Sequence, residues 1–335
     1  MMNKTACPRV SYDFTGRLLP PVYILVFIVG LVANGWGLKS LQHNWKKLKI
    51  INVFVLNLGL TDVLYLLTLP FWVVYYLMGS KWIFGETLCK ITRFCFNVNL
   101  YGSIGFLTCI SVYRYLAIVH PVRTMGRITV THSVMISVIV WLLVSVQSLP
   151  DMFFTKAPRN NTGKCFDTTG NVHVENYLKY SLGWTLTGFC IPFLITLGCY
   201  GHVAVVLWTL KRTDKVLKQR SLKLVLIMIL LFSVCYIPYH VFRNFNLLAR
   251  VLLKQGICRK WYSGVYIARR ISRALVCLNS ALKPLVYLHA HEDVPAQLRQ
   301  QLQQVRQMLK RLFPSNSGCL PVAHTADADA EANTS

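Results

Sequence analysis

The sequence predicts an all-α membrane protein, a bundle of seven transmembrane helices followed by a short amphipathic C-terminal helix. Three observations carry that prediction. The 335 residues are 54% hydrophobic and only 14% charged, against about 25% charged in an ordinary soluble domain. The apolar residues fall into long blocks, each able to cross the roughly 30 Å of hydrocarbon as a helix. The basic residues between the blocks gather in alternate loops, the pattern of cytoplasmic loops in a multi-pass protein.

The seven blocks cover roughly 20–41, 51–78, 88–117, 132–154, 177–208, 220–248 and 262–289. The seventh is the least apolar. Blocks three, five and six exceed the roughly 20 residues that a perpendicular helix needs, so they tilt or protrude. Pro70, Pro192, Pro238 and Pro284 lie inside blocks and predict kinks that neighbouring helices support. Residues 1–19 form a polar N-terminal segment, and the first block is too long for a signal-peptide core of about 7–15 residues. It reads as a retained signal-anchor.

Lys46, Lys47 and Lys49 follow the first block, Arg123 and Arg127 the third, and Lys211, Arg212, Lys215, Lys218 and Arg220 the fifth. These loops share one side, which is therefore cytoplasmic, and the N-terminus is outside. The sequons at Asn3 and Asn160 both fall outside, where glycosylation occurs. Cys7, Cys89, Cys165 and Cys258 also lie outside, in the oxidising compartment, and four cysteines permit three pairings. Cys95, Cys109, Cys190, Cys199, Cys235 and Cys277 lie within spans and read as small apolar fillers.

The membrane domain is expected over 20–290. From 291 to 313, Leu298, Leu302, Val305, Leu309 and Leu312 recur at helical spacing beside basic residues, which predicts a helix on the inner membrane face. A soluble partner-binding helix is the competing reading. The tail, 314–335, is polar and small-residue-rich and reads as disordered. Cys319 lies in that tail, a weak candidate for palmitoylation.

Much of the formal net charge of +24 sits in loops facing anionic lipid, and the chain shows no nucleic-acid-binding module. One basic concentration lies elsewhere. His240, Arg243, Asn246 and Arg250 follow one another at spacings of three, three and four, a single stripe at the outer end of span six. Arg269, Arg270 and Arg273 share roughly one face of span seven, and Arg93 sits near the outer end of span three. From Arg243 to Arg273 there are eight basic residues and no acidic one. A charge inside the hydrocarbon costs roughly 2.5–3.5 kcal/mol even on the lenient insertion scale. A guanidinium fork matches phosphate or carboxylate oxygens. The arrangement therefore predicts a site for a highly charged anion, phosphate above all. The competing reading is that these side chains snorkel to water or pair with Asp167 and Glu175. Asp62 is the only clear acidic residue expected inside a span. The chain has no phosphate-binding loop, no H-E-x-x-H and no zinc-type cysteine spacing, so neither an enzyme nor a cofactor or metal is expected. An anion transporter or channel is disfavoured, because internal repeats and a cation-lined path to the inner side are absent.

The chain resembles the rhodopsin-like G-protein-coupled receptors over roughly 20–290. The resemblance rests on the Gly30–Asn34 element, "LNLGLTDVLY" with Asp62, Cys89, Arg114-Tyr115, Trp141, Pro192, Tyr200, "FSVCYIP" with Pro238, and "NSALKPLVY" ending at Tyr287. Within that class it is similar to the metabotropic purinergic receptors for extracellular nucleotides, through "WIFGETLCKITRF", "NLYGSIGFLTCIS", "CFDTT", "LGCYG" and "YIPYHVFRNFNLLAR". It is most like their phospholipase C-coupled, ADP-preferring members. The resemblance implies a plasma-membrane receptor for ADP or ATP that signals through a heterotrimeric G protein and calcium. It implies phosphate contacts from His240, Arg243 and Arg273, with further contacts from Arg93, Tyr101, Asp167, Asn246, Arg250 and Tyr266. It also implies disulfides Cys89–Cys165 and Cys7–Cys258. The base, adenine or uracil, and the number of phosphates stay open. A receptor of the same fold for another anion, such as a nucleotide sugar, lipid phosphate or carboxylate, is the alternative.

Three departures stand out. The similar subtypes carry Tyr-Gln where this chain has Arg269-Arg270, and the added charge suits a more highly phosphorylated nucleotide. Lys283 stands where the family has Asp or Asn before Pro-x-x-Tyr. Many relatives bind sodium nearby, and the neighbours of that site are present here as Asp62, Asn99, Ser103, Asn279 and Ser280. A buried lysine needs a partner, so Lys283 is expected to pair with Asp62 and replace the ion; a lysine facing lipid or water is the alternative. Arg114 also lacks the usual acidic neighbour, and "HAHEDVP" replaces the usual start of the inner-face helix.

Overall fold

The structure is a computed structural model that describes residues 13–43, 50–124, 126–154, 163, 165, 168–209, 226–227 and 229–284. Asn3, Cys7, Asn160, Asp167, Tyr287, the helix expected at 291–313, and the tail with Cys319 lie outside the described residues. Met1–Glu292 makes one compact unit.

Among the described residues the chain is helical and forms seven columns. The first is α1 (Asp13–His43), which begins before the block expected at 20. The second is α2 (Ile50–Leu66) followed by α3 (Leu69–Leu77). Pro70 explains the break: it has no N–H to donate and disfavours helical geometry before it. Thr68 closes the gap by donating its hydroxyl and its N–H to the Tyr65 carbonyl, at 2.7 and 2.9 Å. The third is α4 (Gly85–Val119), with a short turn, α5 (Pro121–Thr124), after it. The fourth is α6 (Val130–Phe153).

The fifth column joins α7 (Val174–Thr185) to α8 (Ile191–Thr209) through one π-helical segment, Leu186–Cys190. The sixth has a similar segment, Leu231–Tyr236, before α9 (Ile237–Lys254). Each π segment lies just before the proline expected to kink its span, Pro192 or Pro238. Removing one N–H from the ladder favours local widening to i→i+5 bonds. The seventh column is α10 (Tyr262–Leu282). The sixth extends to Lys254, beyond the expected end at 248, so Arg250 sits on regular helix.

Five helices among the described residues are long and apolar enough to cross a membrane: Gly16–Lys39, Ile50–Leu77, Gly85–Val119, Val130–Phe153 and Asn171–Thr209. The seventh column does not join them by composition, because Arg269, Arg270 and Arg273 lie close together on it; of the sixth, residues 220–225 and 228 lie outside the described residues. The outward faces are apolar; Leu25, Ile28, Val32, Leu142, Leu143, Leu194 and Val205 are all exposed, as a lipid-facing surface requires.

The third column is central. It packs against α2, α6 and α8, while α1 packs on α2, α3 and α10, and α9 on α7 and α10. Polar side chains fix the joints between columns. Asn34 donates to the Gly30 and Ser280 carbonyls at 2.9 Å, tying the first column to the seventh. Trp141 Nε1 donates to Asn57 Oδ1 at 2.8 Å, tying the fourth to the second. Gly30 lets the first column approach the second closely: a Cβ there would meet Leu66 Cδ2 at 2.8 Å, and the leucine would have to shift. Cys89 and Cys165 form a disulfide across 76 residues of chain, which marks one end of the bundle. Cys258 is disulfide-bonded as well. The six cysteines expected as fillers form no disulfide.

Candidate functional site: a cationic cluster beneath the disulfide

The cluster begins on α4. Cys89, Arg93, Phe96, Leu100 and Ser103 recur at spacings of four, three, four and three, so they share one face, and all are buried. The disulfide holds Cys165 above this face. Arg93 is 2% exposed; its Nη2 points to the Cys165 carbonyl at 3.5 Å and its guanidinium lies 3.6 Å from the Trp72 ring centre. Arg273 also faces Trp72, at 5.2 Å, and Phe96, at 4.6 Å. Cation–π contact of this kind lets a guanidinium stay charged among apolar neighbours.

Arg243, at 2% exposure, lies deeper. Its Nη1 donates to the Tyr101 hydroxyl at 3.0 Å and its Nη2 to the Tyr177 hydroxyl at 3.1 Å. One turn before it, His240 stacks on Phe189 with ring centres 4.4 Å apart. His240 Nε2 and Arg243 Nε have no hydrogen-bond partner among the described residues. Buried polar atoms in folded proteins are almost always bonded, so two orphaned nitrogens on one stripe make this a candidate ligand site. Tyr101 packs at a tilt against Trp184, 4.1 Å between centres, over Gly188.

The span-seven arginines fan apart instead of sharing one partner. Arg269 turns to α9 and donates to Asn246 Oδ1 at 2.6 Å. Arg270 turns to α3, donating to the Tyr76 hydroxyl at 2.9 Å and, from Nε and Nη2, to the Tyr266 hydroxyl at 3.1 and 3.0 Å. Arg273, one turn deeper, faces the centre. Arg250 leaves the cluster: it donates to Thr168 Oγ1, the Thr169 carbonyl and Asn171 Oδ1 at 2.7–3.3 Å and so fastens the second loop to α9. Lys254 pairs with Glu175 at 3.1 Å on the surface, one of the acidic partners the competing reading named.

One expectation needs correction. Asp62 is not the only acidic residue inside a span. Asp151, on α6, is 1% exposed and accepts hydrogen bonds from the Tyr177 hydroxyl at 2.6 Å and Asn97 Nδ2 at 3.0 Å. It sits near the end of the fourth block after Pro150, where the sequence alone reads as an exposed helix end. Its partners on α4 and α7 make it interior.

A second polar centre lies toward the middle of the bundle. Lys283, fully buried, places Nζ 2.5 Å from both Asp62 Oδ1 and Ser103 Oγ. Asn99 Nδ2 donates to Asp62 at 2.8 Å, and Ser280 Oγ to Asn99 Oδ1 at 3.3 Å. Asn279 turns away to the Tyr236 hydroxyl. The lysine is thus paired with the span-two carboxylate and does not reach lipid. Arg114, partly buried near the end of α4, has no hydrogen-bond partner for its Nε among the described residues.

A family model for the seven-transmembrane receptors of the rhodopsin family matches residues 39–287. The chain belongs to that family. The receptor is therefore a multi-pass membrane protein of the plasma membrane and not an enzyme. It is 40% identical to purinoceptor 1 of Gallus gallus over 288 residues, 85% of this chain and 80% of the relative. It is 39% identical to purinoceptor 1 of Homo sapiens over 286 residues, 85% and 77% of the two chains. It is also 34% identical to 2-oxoglutarate receptor 1 of Rattus norvegicus over 283 residues, 84% and 83%. The receptor's cationic cluster lies inside the matched span.

Proposed function

We propose that this receptor binds an extracellular nucleotide, ADP or ATP, and passes the signal through a heterotrimeric G protein to phospholipase C and calcium. The disulfide end is the outer face and the basic loops are cytoplasmic. The observation that carries the reading is the buried Arg243, held by two tyrosines with its Nε unbonded, beside His240, in a bundle 39–40% identical to purinoceptors. Phosphate oxygens suit the guanidinium forks of Arg243 and Arg273, and the base suits the faces of aromatics such as Tyr101 or Tyr266. Opening of the inner ends of spans five and six would admit the G protein, with Arg114 at that interface.

The deciding experiment measures cytosolic calcium in cells lacking endogenous nucleotide receptors. They express this chain or its Arg243→Ala or Arg273→Ala variant, against ADP, ATP, UDP and UTP. Each variant is expected to lose at least roughly tenfold in potency at unchanged surface expression, the scale of a lost charged hydrogen bond. Arg269→Tyr/Arg270→Gln is expected to lower the potency of ATP relative to ADP. The likeness to a 2-oxoglutarate receptor makes a dicarboxylate the second reading, favoured if 2-oxoglutarate responds where all four nucleotides are silent.

A further inference from the structure

We propose that Asp151 is a positioning residue for the anion-contacting Arg243, acting through Tyr177. The inference rests on the proposed role of Arg243. It starts from the direction of three hydrogen bonds. The Tyr177 hydroxyl has one proton, and that proton goes to Asp151 Oδ1 at 2.6 Å, within the short range of hydroxyl–carboxylate bonds. The Tyr177 oxygen is thereby left as an acceptor. A guanidinium has donors only, and Arg243 Nη2 donates to that oxygen at 3.1 Å. The carboxylate thus fixes the orientation of the tyrosine, and the tyrosine fixes one arm of the arginine. Asn97 Nδ2 holds the other carboxylate oxygen at 3.0 Å.

The bonds close a circuit. Asn97 and Tyr101 lie four residues apart on α4, hence on one face. From Asn97 the path runs to Asp151 on α6, Tyr177 on α7, Arg243 on α9, and back to Tyr101 on α4. Four columns are joined by one buried polar ring. Asp151, Tyr177, Arg243 and Tyr101 are each no more than 3% exposed. In such surroundings a bond to a charged group is hard to replace with water. The ring presents Arg243 in one fixed pose, so an anion does not have to order it on binding, and preorganisation of this kind raises affinity.

The test uses membranes from cells expressing the full chain, with binding of ADP and ATP measured for wild type, Asp151→Asn, Tyr177→Phe, the double variant and Arg243→Ala. Asp151→Asn and Tyr177→Phe are each expected to weaken nucleotide binding by roughly tenfold. The double variant is expected to be no weaker than Tyr177→Phe alone, because the carboxylate acts only through the hydroxyl. A purely electrostatic effect of Asp151 would instead persist in the Tyr177→Phe background and grow from ADP to ATP, which overturns the proposal. A merely structural residue would lower the number of binding sites without changing affinity, which also overturns it. If Asp151→Asn does not reach the membrane, Tyr177→Phe decides: unchanged affinity there breaks the path and sinks the proposal. Loss in Arg243→Ala with wild-type affinity in Asp151→Asn defeats this inference alone. Unchanged affinity in Arg243→Ala, or no binding to wild type, defeats the nucleotide reading and this inference together.

Discussion

Lys283 and Asp62 are the residue pair with the largest stake in the interior. Both are buried, and their charges lie 2.5 Å apart with Ser103 and Asn99 completing the set. Removing one partner strands the other charge, at a cost of about 3–5 kcal/mol. Lys283→Met is therefore expected to lower the thermal midpoint of the purified receptor sharply. Lys283→Met combined with Asp62→Leu should recover most of the loss, since a neutral pair needs no counter-charge. The ammonium also stands where a cation would otherwise meet the Asp62 carboxylate. We predict that agonist affinity in the wild-type receptor is flat against sodium, and that Lys283→Asn makes it fall as sodium rises. A steep sodium dependence in the wild type would falsify the replacement.

At the scale of elements, the fifth and sixth columns share one device. A π segment precedes each proline. The extra residue in the turn rotates everything beyond it, so the register of α9 depends on Leu231–Tyr236 as well as on its own stripe. Gly188 lies within the first π segment, where a Cβ would come 2.7 Å from Tyr101 Cδ1 and 3.0 Å from Trp184 Cε3. Neither ring can move easily, because the two pack against each other with centres 4.1 Å apart. Gly188→Ala should cost about 1–3 kcal/mol by overpacking. It should also push Tyr101 off Arg243, lowering nucleotide potency in the calcium assay along with stability. Stability loss at unchanged potency would separate Tyr101 from the ligand site.

For the whole molecule, the placement of charge sets the topology. Arg123 and Arg127 follow the third column on the side opposite the Cys89–Cys165 disulfide. The positive-inside bias predicts that this side is cytoplasmic. An epitope at the N-terminus should bind antibody on intact cells, whereas one inserted at 213 should need permeabilised cells. Labelling in the opposite sense would reverse the bundle and remove the cluster from the extracellular solution.

The sequence by itself determined the seven-column helical bundle, because block length and hydropathy are local properties that the bilayer reads directly. It also exposed the stripe His240–Arg243–Asn246–Arg250, because helical period alone places those residues on one face. It could not assign them separate partners. Arg250 bonding the second loop, Arg269 meeting Asn246 and Arg270 meeting Tyr76 depend on how neighbouring columns rotate, which the π segments and proline breaks decide. Asp151 was missed for the same reason: near the end of a block a carboxylate reads as solvated, and only its neighbours on α4 and α7 turn it into the buried acid linked to Arg243. The tertiary structure thus decided which charges face one another, since partners far apart in the chain meet only after the helices pack.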